Sequence, residues 1–154
     1  MPINEAGSIL KKMWSMFWFI IALPMVIFAS VVIVHQTGVN FIISGSIRIW
    51  GISLFIFSVT FGVALPVLLR TFFHGKYIKH KMVDYSEYVL YQRNMIVVCS
   101  IAVVSASVAY LLVLSPLYMY GSILAALYGV YSVMPFKEKI EGELKMYKLE
   151  EKKN

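Results

Sequence analysis

The chain has 154 residues, 60% of them hydrophobic and 14% charged, with a net charge of +6. An ordinary soluble domain carries about 25% charged residues, and a small domain leaves much of its surface in water, so this composition excludes a soluble fold. The basic residues sit in short connectors between apolar stretches, which points to membrane topology and away from nucleic acid.

By length the chain is a single domain, 1–154, and it reads as an all-α integral membrane protein with four transmembrane helices. The first span runs from about 13 to 34, behind Lys11 and Lys12. Its apolar run is longer than the roughly 7–15 residues of a signal-peptide core, so an uncleaved helix is expected, bent at Pro24. An outer connector from His35 to Arg48 holds an apolar patch, Phe41 to Ile43, between Gly38 and Gly45. That patch is expected against the bilayer surface or a neighbour. The second span covers about 49–69, with Pro66 near its inner end and a stop at Gly75 after His74.

The connector after the second span carries the most informative polar pattern. Asp84 is followed three residues later by Glu87, with Val83 before it and Tyr88 after. This predicts an N-cap with a capping-box partner and a hydrophobic staple, and a third helix starting near Tyr85. That helix would extend into the cytoplasm carrying Tyr85, Tyr88 and Tyr91, as interfacial anchors or as a docking surface, before crossing at about 95–114. The fourth span, about 117–135, starts after Ser115-Pro116, where proline suits a first helical turn. The tail 137–154 mixes six lysines with five glutamates. Ile140, Leu144 and Tyr147 share one helical stripe there, so a short surface helix and a solvated tail are both open readings.

Orientation follows from the basic residues. Lys11 and Lys12, then Arg70, Lys76, Lys79, Lys81 and Arg93, then the tail lysines all fall on one side, with only Arg48 on the other. Both termini and the central connector are therefore expected in the cytoplasm.

Chemistry inside the spans has few candidates. Haem between helices needs facing histidines, and His35, His74 and His80 offer no such pair. His74, His80 and Asp84, near Glu87, are weak metal-ligand candidates at the cytoplasmic rim, and no metal site is expected. Cys99 is the sole cysteine, which excludes an intrachain disulfide and leaves a small packing residue. Cys99, Ser100, Ser105 and Ser107 have no base beside them in the span, so no catalytic residue is assigned. An ion-coupled carrier would place an ionisable group near the midplane, and none is there. No cofactor is expected; a lipid or a quinone is what the rim could hold.

The positive signal is small residues at helical spacing. Gly121, Ala125 and Gly129, with Ser122 and Ala126 alongside, mark the fourth span. Ala102, Ala106 and Ala109 mark the third, and Gly51, Ser58 and Gly62 the second. Such seams let helix backbones approach closely, within one chain or between chains. Partners beyond the lipid bilayer are then other membrane subunits, with no nucleic acid. The expectation is a non-catalytic accessory or structural subunit of a larger complex in the cell membrane, with a respiratory or otherwise energy-transducing complex as one candidate. The alternative is a small homo-oligomeric channel or transporter without an intramembrane charged site.

Overall fold

In the computed structural model, which describes residues 3–37, 47–78, 83–112 and 115–147, every described element is helical. Helix α1 spans Ile3–Gln36, α2 Ile47–Val59, α3 Leu65–Ile78, α4 Tyr85–Leu111, α5 Pro116–Val133 and α6 Lys137–Tyr147. A five-residue π turn, Thr60–Ala64, joins α2 to α3 without a break. Three stretches, Gly7–Gln36, Arg48–Tyr77 and Tyr85–Leu111, are long and apolar enough to cross a membrane. The α5–α6 pair, bent by 60°, makes a fourth if it counts as one span. Alone, the 18 residues of α5 rise about 27 Å, close to the roughly 30 Å of a hydrocarbon core.

Helix α4 is the hub. Ser105, Ala106 and Ser107 are buried in succession, so α4 is covered over most of its circumference, with Leu90, Val97, Val104 and Val108 left exposed. One side receives α1, and the other receives α5 and the α2–π–α3 rod. The buried stripe of α1 is Ile9, Met13, Phe17 and Ile21, each four residues from the next, and Phe28 and His35 pack on Tyr110 further along. That spacing keeps the side chains on one face, and the other faces leave Trp18, Phe19, Leu23 and Val26 exposed. The helix runs through Pro24 to Gln36.

The π turn has a local cause. Pro66 has no N–H, and a proline ring inside a helix crowds the carbonyl four residues back, here at Gly62. The helix widens over the turn before it, where the Leu65 N–H reaches back five residues to the Thr60 carbonyl.

Several boundaries differ from the sequence expectation. The second rod does not stop at Gly75 but continues to Ile78, because Tyr77 is buried against Phe73 and anchors the last turn. Gly75 gains nothing from being glycine: a Cβ there meets nothing within 4 Å. Gly75→Ala is therefore expected to stabilise the protein by about 0.4–1 kcal/mol, read as a raised melting temperature in detergent.

Helix α4 starts at Tyr85 with Asp84 extended at the N-cap, but the capping box does not form. The Asp84 carboxylate accepts from Ser86 Oγ at 2.6 Å, and Glu87 turns to Lys76 at 3.7 Å. The staple positions, Val83 and Tyr88, are both buried in one cluster. Tyr88 and Tyr91 are buried and Tyr85 half-buried, so this part of α4 belongs to the bundle rather than projecting from it. His80 and the outer apolar patch, Phe41 to Ile43, lie outside the described residues.

Candidate functional site

The small residues meet each other within this one chain. A Cβ on Gly62 would strike the Ala125 carbonyl oxygen and come within 3.4 Å of the Ala102 Cβ. A Cβ on Gly129 would lie 2.9 Å from the Gly62 carbonyl oxygen. The π turn, α4 and α5 thus touch through Gly62, Ala102, Ala125 and Gly129. Ala102, Ala106 and Ala126 continue this contact as one buried cluster with Val103, while Ala109 is buried further along α4. Toward the opposite end aromatic rings fill the seam: Gly51 lies under Tyr118, and Gly121 under Phe55.

Two serines bridge the seam. Ser58 Oγ donates to Ser105 Oγ at 3.0 Å, and Ser105 Oγ reaches the Leu54 carbonyl at 3.3 Å. Interhelical bonds of this kind contribute about 0.6 kcal/mol each in a membrane helix bundle. The Ser122 hydroxyl is buried with no hydrogen bond, so its small size is what the seam uses.

A second polar group closes the end of the bundle where α1 and α4 begin. Helix α5 stops at Val133, the chain passes Met134-Pro135-Phe136, and α6 folds back across that end. Ile140 is buried with Ile9 and Met13 of α1, which seats α6. The last-turn carbonyl of Ser132 then receives Lys139 Nζ at 2.6 Å and an Arg70 N–H at 3.3 Å. Two cations at a helix C-terminus satisfy a carbonyl that has no partner in its own helix and offset the helix dipole. Burial pulls the Lys139 pKa down, the Glu143 carboxylate opposes this, and Arg70 adds to the lowering.

Glu143, one turn on, faces α4. Its Oε2 accepts from the Tyr88 hydroxyl at 2.7 Å and from Gln92 Nε2 at 2.7 Å. Gln92 Nε2 also lies 3.2 Å from the Tyr88 oxygen. Tyr88 is fully buried and Gln92 only 4% exposed, so the carboxylate supplies the acceptor these donors need away from water. Cys99, also buried, lies near Ser132, with Lys139 and Arg70 close by.

Beside this closed cluster lies an open groove of about 300 Å³ between α3 and α4. Leu69, Phe72, Phe73, Leu90 and Tyr91 make its apolar lining. Lys76, Glu87 and Asn94 are its polar groups. Phe73 and Tyr91 stack at 4.0 Å between centroids, and Lys76 lies 4.9 Å over the Tyr77 ring.

Of the rim candidates, His74 and Asp84 lie among the described residues and His80 does not. His74 is half-buried on α3, while the Asp84 carboxylate is engaged by Ser86. Among the described residues no three His, Cys, Asp or Glu side chains could hold a metal ion together. What sequence reasoning did not single out is Arg70, Gln92, Ser132, Lys139 and Glu143. The available signal was Ile140: an apolar stripe on a charged segment implies a face that packs, and Lys139 and Glu143 flank it. No family model matches the chain, and neither a curated protein nor a solved structure is similar to it.

Proposed function

We propose that this chain is a multi-pass protein of the cell membrane that acts as a non-catalytic subunit of a larger membrane complex. Its termini and the connector between α3 and α4 face the cytoplasm in this reading. Supporting that orientation, Lys12 lies over the Tyr85 ring and Lys76 pairs with Glu87, at the same end as Arg70 and Lys139. Arg48 stands at the start of the second span, toward the other end. A cluster of basic residues at one end is the pattern cytoplasmic segments carry.

The observation that carries the subunit reading is where the chain spends its polar groups. The Ser58–Ser105 bridge, the Ser132 carbonyl with its two cations, and Glu143 with Tyr88 and Gln92 all serve internal packing. They hold helices together. What the chain presents outward is broad and apolar. Helix α1 leaves Trp18, Phe19, Leu23 and Val26 exposed, and α5 turns Leu117, Tyr120, Leu124, Leu127, Tyr128 and Tyr131 away from the bundle. Aromatic and aliphatic faces of this breadth suit contact with lipid and with further membrane helices.

Gentle solubilisation followed by native mass spectrometry tests the reading. Foreign subunits in fixed stoichiometry are the expected result. Isolation of the chain as a pure homo-oligomer would overturn it and favour the channel or transporter alternative.

A further inference from the structure

We propose that the groove between α3 and α4 binds the headgroup of a phosphoethanolamine lipid, with the phosphate on Lys76 and the ammonium on Glu87. This rests on the membrane placement above and not on the subunit reading. The groove lies at the ends of two stretches long and apolar enough to span: Lys76 is the penultimate residue of Arg48–Tyr77, and Glu87 is in the first turn of Tyr85–Leu111. Helices α3 and α4 run in opposite directions here. The apolar lining therefore leads away from the charged rim, along Phe73, Phe72 and Leu69 on one side and Leu90 and Tyr91 on the other.

A cation and an anion side by side, above an apolar channel, are the complement of a zwitterionic lipid. Lys76 Nζ and the Glu87 carboxylate are 3.7 Å apart, longer than a charge-assisted hydrogen bond of about 2.7–2.9 Å. Their side chains are 65% and 46% exposed, and exposed pairs of this kind contribute little, so they separate readily around a ligand carrying both charges. Phosphate and ammonium are two carbons apart in phosphoethanolamine and can meet both residues at once. Asn94 lies roughly 10 Å along α4 from Glu87 and supplies an amide donor for an ester carbonyl. The volume of about 300 Å³ suits a headgroup and its first methylenes, with the acyl chains continuing into the bilayer.

The chemistry sets an order among lipids. A primary ammonium donates hydrogen bonds to a carboxylate, whereas the trimethylammonium of phosphocholine has no N–H to donate. An anionic phosphoglycerol headgroup finds Lys76 but meets like charge at Glu87.

The test is native mass spectrometry of the full chain, released from nanodiscs of equimolar phosphatidylethanolamine, phosphatidylcholine and phosphatidylglycerol. The expected result is a roughly two- to fivefold excess of retained phosphatidylethanolamine over either competitor, the size of one exposed charge interaction. Glu87→Gln should level ethanolamine with choline lipid, and Lys76→Gln should reduce retention of all three. Both positions are exposed and the readout is a ratio within one sample, so a change in protein yield does not imitate the effect. Equal retention by the native chain, or a preference that survives Glu87→Gln, would overturn the proposal. A chain that fails to enter the nanodiscs would overturn the membrane placement itself.

Discussion

Gly62→Ala is expected to destabilise the protein by about 1–3 kcal/mol, as overpacking does in a well-filled core. One methyl group at this position runs into the Ala125 carbonyl oxygen and lies 2.9 Å from its carbon. The obstacle is backbone on a neighbouring helix, so no rotamer change can relieve it. Helix α5 would have to move, and Gly129 is already against the Gly62 carbonyl. The matched control is Gly75→Ala, the same substitution on the same rod, where the expected sign is opposite. Thermal unfolding of both variants in one detergent separates a packing effect from a general effect of glycine on helix stability. A Gly62→Ala protein as stable as Gly75→Ala would refute the close contact.

Glu143→Ala is expected to cost about 2–3 kcal/mol, the range for removing a charged acceptor from buried donors. The Tyr88 hydroxyl and the Gln92 amide lose the oxygen they share, and both lie where water does not reach. Tyr88→Phe removes one donor and should cost less. In the double variant the penalty should fall short of the sum, with a coupling of about 0.5–3 kcal/mol for groups in one network. Unfolding measured across the four proteins gives that coupling directly. Strict additivity would mean that Tyr88 and Glu143 do not act on each other.

The chemistry of the chain made its helices legible and their mutual arrangement much less so. Apolar stretches of spanning length announce themselves, and Asp84 with Val83 pointed to a start of α4 near Tyr85, where it begins. Of the small residues at helical spacing, Gly62 and Gly129 lie where backbones come close, whereas Gly51 and Gly121 lie under aromatic rings. Which face meets which neighbour was not legible, because α4 is apolar on all sides and its pattern distinguishes none of them. The fold-back of α6 was hidden for a different reason. Its segment is mostly charged, and charge ordinarily signals solvent, yet Lys139 and Glu143 turn inward to serve a helix end and two buried donors. The capping-box pattern misled as well: Glu87 turns across the groove to Lys76 instead of back to the start of its own helix.

The π turn has a consequence for register. A π turn adds one residue to a helix, and each residue turns the chain by about 100°, so everything after Thr60–Ala64 is rotated relative to an unbroken α-helix. Before the turn, α2 faces both α4 and α5; after it, α3 packs on α4. Phe73, Lys76 and Tyr77 come to face Glu87 and Tyr91 in this rotated frame. Losing a single residue between 60 and 64 would swing all three away together. One inserted residue thus lets a single rod keep two allegiances, a tight glycine seam in its first half and an open groove in its second.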